Sequence, residues 1–346
     1  MCRKFEVVSN MASFNLKGMK LIENQNGKRL AYIDVAKGLG ILLVICGHVI
    51  VEGEKPFKYS NILRDYIYSF HMALFFVVSG ILIGHQLKDG VNISYIKKRI
   101  CSYIQSLLIP YYSWSVIYFI LDNKSINHDI YEWFLCIITF RGRAPIWFLG
   151  ALFWAEVLAI YIVYISKQRK NVIAITVTVS IVSIISWKQY EQLSISSVFI
   201  RYSVISLFRG VVCLLFVLVG YIVSSMIIKN EKKLIIGIKL CVLTLLNLCI
   251  YGLFGGESNL HTFSIGNMYA FLLEGISGSC MLLFLCKFIC KIINLRNLKW
   301  IGQHSLGIMC LHYTHLPFMQ YATDICNYIG FSGGRRVYSF ICFCTC

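Results

Sequence analysis

Apolar runs of about twenty residues, the length needed to cross roughly 30 Å of hydrocarbon at 1.5 Å per residue, recur in this chain from Tyr32 almost to its C-terminus. That recurrence admits few folds. Lipid offers no hydrogen-bond partners to the backbone, so repeated long apolar segments must close their bonds within helices. The chain is 58% hydrophobic and 14% charged with a mean hydropathy of +0.68, outside the range of a soluble domain. The expected fold is therefore all-α, a polytopic transmembrane helical bundle of about nine to ten spans. Spans are expected near 32–51, 66–87, 100–121, 146–166, 171–187, 207–228, 234–254, 267–291 and 300–321. A polar segment over 1–28 precedes a membrane domain over 29–322, and a short atypical tail follows over 323–346.

Basic residues accumulate on the cytoplasmic side of short loops. With the N-terminus inside, twenty of the 33 Lys and Arg fall on inner segments and ten on outer ones, and Lys37, Arg209 and Lys239 lie within spans or at their edges. The net charge of +17 is then mainly a topology signal, matched to anionic lipid headgroups, and no nucleic-acid partner is expected. Residues 1–28 lack the apolar core of a cleaved signal peptide, so the first span is expected to be retained. The fifteen cysteines show no paired spacing for zinc. Most fall inside apolar runs, where Cys acts as a small hydrophobe, so neither a metal site nor a disulfide framework is expected.

An ionisable side chain inside a membrane span is costly and is a functional candidate by default. The first span carries Asp34 and Lys37 near its start and His48 near its end. Eleven residues make three turns plus about 20°, so Lys37 and His48 share one face about 16 Å apart. Asp34 can pair with Lys37 across one turn. The competing reading is a snorkelling lysine and an interface histidine. The second span runs back and places His71 at the same end as His48. Glu274 falls in the outer half of the eighth span and His312 late in the ninth, with His315 beyond it. Trp147 opens the fourth span, where an aromatic interface anchor is the plainer reading, and Glu156 lies in its middle, either in a site or at a helix–helix contact.

These residues fall into an ordered set of motifs: Lys37 with ten residues before His48; Phe70-His71-Met72 running to Ser79-Gly80; Lys97-Lys98-Arg99 followed by Leu107-Leu108-Ile109-Pro110-Tyr111; Trp147-Phe148-Leu149; and Ile301-Gly302, Ser305-Leu306 and Leu311-His312. Together they resemble the integral membrane acyltransferases of the acyltransferase-3 type, which include fucose 4-O-acetylase-like proteins and many bacterial polysaccharide O-acetyltransferases. The resemblance covers Tyr32 to about Leu316. Two departures stand out. Ala73 replaces a frequent proline, and Val337–Cys346 is too short to cross a membrane where the family usually has a tenth helix.

The resemblance implies an O-acetyltransferase of a bacterial inner membrane. It would use acetyl-CoA or another acyl-CoA as co-substrate, with no bound cofactor, and a hydroxyl of a cell-envelope carbohydrate as acceptor. A sugar hydroxyl needs a base within hydrogen-bond reach, and imidazole, with a pKa of about 6.5, suits that task. His48 is the expected general base, with His71 as a second imidazole that binds the acceptor, orients His48 or donates to the oxyanion. Lys37, Asp34, Lys98 and Arg99 are the expected donor-binding group. The acceptor side is expected to draw on Trp147, Glu274 and His312. Cys46 is the alternative covalent acyl carrier, without a visible activating neighbour. A transporter or flippase of lipid-linked sugars is the rival reading; it would need no CoA and would show broken helices or an inverted repeat. The sequence leaves oligomeric state open.

Overall fold

The computed structural model describes residues 30–52, 60–87, 92–122 and 130–312. They form an all-α bundle. Its helices are α1 (Ala31–Glu52), α2 (Ser60–Gln86), α3 (Ile93–Tyr103), α4 (Ile109–Asp122), α5 (Ile130–Ile138), α6 (Trp147–Ser166), α7 (Arg169–Gln192), α8 (Val198–Ile228), α9 (Lys233–Phe254), α10 (Met268–Ile289), α11 (Arg296–Gln303) and α12 (Ser305–Leu311). One small antiparallel hairpin, β1 (Ser258–Asn259) with β2 (Ser264–Ile265), joins α9 to α10. Among the described residues, α1, α2, α6, α7, α8, α9 and α10 are each long and apolar enough to cross a membrane.

The two other expected spans are helical but interrupted. Between α3 and α4 the chain makes a π-helical stretch, Ile104–Leu108, in which the Ile109 N–H donates to the Ile104 carbonyl five residues back. Pro110 supplies the reason: its ring would crowd the Ser106 carbonyl in a regular helix and it has no N–H to offer, and a widened turn accommodates both. The last expected span is broken at His304 between α11 and α12, and its second half lies outside the described residues, as do His315 and the tail over 323–346. Two short amphipathic elements, α3 and α5, escape a search for apolar runs because neither is long or uniformly apolar.

α2 is the central helix, packed against α1, α6, α8 and α10. Its closest neighbour is α8, and the approach is set by two facing glycines. A Cβ on Gly80 would lie 1.9 Å from the Val217 carbonyl oxygen, and one on Gly220 would lie 2.1 Å from that of Val77. Such backbone-to-backbone contact is available only to residues without a side chain, and it is how helices gain packing energy where lipid competes with no hydrophobic drive. α1 crosses α11 in the same way, with Gly38 against the Leu298 carbonyl and Gly302 against that of Asp34. Those crossings explain physically why Gly80 and Gly302 belong to the motifs, and why Gly38 follows Lys37. α7 and α9 keep most of their surface outside the bundle.

Candidate active site

Three histidines meet at one end of the bundle. α1 and α2 run antiparallel: Gly40 faces Leu74 and Phe75, and Gly47 faces Tyr68. This registers His48 beside the His71 turn of α2, and α12, which packs on α1, delivers His312 at its C-terminal cap. The His48 and His312 ring centroids are 5.1 Å apart. Tyr68 stands 4.9 Å from the His71 ring and 6.3 Å from that of His48. Gly47 makes room for it, since a Cβ there would lie 2.5 Å from Tyr68 Cε1. His71 and His312 are buried, and His48 is half-buried.

The hydrogen bonds assign the ring nitrogens. His71 Nδ1 lies 2.8 Å from the Ile67 carbonyl and His312 Nδ1 lies 2.7 Å from that of Met309. A carbonyl only accepts, so each Nδ1 carries a proton, and each ring in its neutral form presents Nε2 as an acceptor. Of the three roles the sequence left open for His71, donation to an oxyanion needs a second proton, on Nε2. Acceptance from a hydroxyl does not.

Above this cluster lies a group that the sequence reading did not assemble. The strap over 139–146 and the hairpin loop pack together around Trp147 and His261. Their rings stack with centroids 5.9 Å apart at 21°, and the Arg209 guanidinium stands 4.7 Å over Trp147. Trp147 is only 6% exposed, so it reaches any ligand chiefly through these neighbours. Arg141 Nη1 donates to His261 Nε2 at 2.8 Å. Burial first, then the adjacent Arg141 and Arg209 guanidiniums, hold the His261 pKa well below the ordinary imidazole value, so the ring is neutral. His261 is within electrostatic reach of His48. Arg209 was visible as an ionisable residue in a span and carried the usual signal; Arg141 and His261 are loop residues, with no helical register to place them.

At the opposite end, Lys37 Nζ is 3.7 Å from Asp34 Oδ1, and Gln303 Nε2 donates to Asp34 Oδ2 at 3.3 Å. Asp34 thereby ties the Lys37 turn to α11. Arg99 turns inward from α3, donating to the Tyr103 hydroxyl at 3.2 Å with its guanidinium 5.0 Å over that ring. Glu156, hydrogen-bonded by the Ser79 hydroxyl, lies within electrostatic reach of both Arg99 and Lys37. The structure thus gathers Lys37, Asp34, Arg99 and Glu156 into one polar neighbourhood and leaves Lys97 and Lys98 on the exposed face of α3. Glu274 sits elsewhere. It is 1% exposed in a junction of α2, α9 and α10, where Asn247 donates to its backbone carbonyl at 3.2 Å and to Ser277 Oγ at 3.0 Å, and Tyr66 donates to Asn247 Oδ1 at 2.8 Å.

A histidine cluster at one end and a cationic neighbourhood at the other, joined along one face of α1, suit a donor with an anionic head and a reactive tip. The sequence model of the acyltransferase-3 family, described as an acyltransferase domain, matches residues 30–346. Neither a curated protein nor a solved structure matches the chain at a significant level. On the match over residues 30–346, the chain belongs to the acyltransferase-3 family and is a multi-pass membrane acyltransferase.

Proposed function

We propose that the protein transfers an acetyl group from acetyl-CoA, or a related acyl group from its CoA thioester, to a hydroxyl of a cell-envelope carbohydrate. The observation that carries this reading is the convergence of His48, His71 and His312, two of them with Nδ1 tied to a carbonyl and Nε2 left to accept. His48 is the general base: it is the half-buried member of the cluster, placed to take the proton of a hydroxyl as its oxygen attacks the thioester carbon. The carbon–sulfur bond then breaks and the CoA sulfur takes the proton. His71 and His312 accept hydrogen bonds from the incoming sugar and orient it.

Lys37 and Arg99 meet the CoA phosphates, Arg99 as a planar fork and Lys37 as a point charge, with Asp34 holding Lys37 and Lys98 adding charge from the exposed face. The rise of about 16 Å from Lys37 to His48 suits an extended pantetheine arm threaded along α1. The cation-rich end faces the cytoplasm, as the lysine and arginine asymmetry favours, in the inner membrane of a bacterium. Trp147 backs the acceptor side, and Glu274 supports it through α2.

The test is transfer of label from radiolabelled acetyl-CoA into a mixed glycan extract by purified protein in nanodiscs. His48→Ala is expected to lower transfer by about 10²–10⁴-fold, the span of general-base contributions. Lys37→Ala is expected to raise the acetyl-CoA requirement with less effect at saturation. Undiminished transfer by His48→Ala would remove His48 as the base, and a parent protein that neither binds CoA nor transfers label would return the question to sugar transport.

A further inference from the structure

Arg209 is 1% exposed and makes no ion pair among the described residues. Its guanidinium instead donates to three backbone carbonyls: Nη1 to His261 at 3.2 Å, and Nη2 to Phe140 at 2.8 Å and to Arg141 at 3.2 Å. With the Trp147 face beneath it, these contacts offset the cost of a buried cation. The acceptors belong to two segments more than a hundred residues apart in sequence, the strap over 139–146 and the loop between β1 and β2. Only a rigid fork reaches both at once; a lysine ammonium on its flexible stem does not.

What the fork holds is strained and close to the histidines. Phe140 has φ +55° and Phe263 has φ +61°, left-handed conformations that a residue with a side chain keeps only when its surroundings over-determine it. The Phe140 carbonyl is one of the three that Arg209 holds. The strap continues into the turn Ala144–Ile146, which packs on α12 and so on the helix capped by His312. The hairpin packs on α2, which carries His71.

We propose that Arg209 is a positioning residue that keeps the strap and the hairpin closed over the histidine cluster and thereby excludes water from acyl transfer. This rests on the acyl-transfer reading above. Water competes with the sugar at the same carbon: its oxygen bonds to the acyl carbon, the carbon–sulfur bond breaks, the sulfur takes the proton, and free acid and CoA result. A closed roof suppresses that reaction.

The experiment uses full-length protein in nanodiscs and divides the label from acetyl-CoA between glycan and free acetate, for the parent, Arg209→Lys and Arg209→Gln. Both variants are expected to raise the ratio of hydrolysis to transfer by about tenfold or more, as loosened positioning does. A second readout needs no activity. Cys136 is buried at the root of the strap, where its carbonyl accepts from the Gly142 N–H at 3.1 Å, and its labelling by a maleimide, mapped by peptide mass, is expected to accelerate in both variants. Parent-like partition in Arg209→Lys overturns the proposal whatever the overall rate, and so does Cys136 that stays as protected as in the parent. A parent that releases no CoA refutes acyl transfer, and Cys136 labelling still decides whether Arg209 holds the strap.

Discussion

Gly47→Ala tests the histidine site through space alone. The added methyl would lie 2.5 Å from Tyr68 Cε1, whereas ordinary contact begins at 3.4 Å, so the ring must withdraw by about 0.9 Å, or α1 and α2 must part by as much. Tyr68 has little room for this, with the His71 ring 4.9 Å away on one side and the His48 ring 6.3 Å away on the other. A displacement near 1 Å among reacting groups costs about 10²-fold in rate, equivalent to about 2.7 kcal/mol of barrier. The expected result is therefore a fall of about 10²-fold in kcat for acetyl transfer with the KM for acetyl-CoA unchanged, since Lys37 lies about 15 Å away along α1. The double variant Gly47→Ala/Tyr68→Val removes the clash and is expected to restore spacing but not the phenol. If it recovers most of the activity, the loss in the single variant was steric; if it recovers none, Tyr68 itself is needed. Full kcat in a folded Gly47→Ala protein would show that the contact between α1 and α2 does not set the site.

Other expectations follow from the same geometry. Gly220→Ala forces the Val77 carbonyl away from a methyl that would sit 2.1 Å from it, and is expected to cost about 1–3 kcal/mol as overpacking does; an unchanged melting temperature in detergent would count against the glycine crossing. Asp34→Asn removes the partner of Lys37 and weakens the tie to Gln303, and is expected to raise the acetyl-CoA KM several-fold while leaving kcat near that of the parent, checked by steady-state kinetics. His261 has a folded pKa depressed well below its unfolded value of about 6.5. The unfolded chain therefore binds more protons, and this contribution to stability is present above pH 6.5 or so and lost as the pH falls below it. Melting temperatures measured between pH 7.5 and 5.5 are expected to fall less steeply for His261→Gln than for the parent, and equal slopes would refute the assignment.

The seven uninterrupted spans were legible because length and apolarity alone decide whether a helix can cross a bilayer. Their ends were not. Helical hydrogen bonding continues past the apolar run into polar turns, so the span expected at 207–228 belongs to a helix beginning at Val198. The meeting of His48 and His71 followed from two consecutive antiparallel helices, and the pairing of Asp34 with Lys37 followed from one helical turn. Lys98 and Arg99 could not be separated from the motif alone, yet successive residues point about 100° apart on a helix, and only Arg99 turns inward. Glu274 was matched to the histidines by depth, which says nothing about azimuth; its carboxylate is hydrogen-bonded by Ser69 of α2, and its backbone carbonyl accepts from Asn247 of α9. Arg141 and His261 depend on how two distant loops fold onto each other, and no local pattern encodes that.

The π-helical turn before Pro110 has a mechanical consequence. From Ile93 to Asp122 the chain is one rod of 30 residues, about 45 Å long, against about 30 Å of hydrocarbon. Some 15 Å must therefore emerge from the bilayer core, and α3, with Lys97 and Lys98 on its exposed face, is the part suited to headgroups. The far part is fastened: the Tyr111 hydroxyl donates to the Ile137 carbonyl at 3.0 Å and the Tyr118 hydroxyl to that of Cys310 at 2.8 Å. The near part is tied as well: the Tyr95 hydroxyl donates to Gln86 Oε1 at 3.2 Å, and Ile96 and Tyr103 are buried, so the widened turn lies between two fastened parts. A thicker or thinner bilayer is then expected to act first on α3, the part of the rod that lies outside the core, and so on the cations near Lys37 before the histidines.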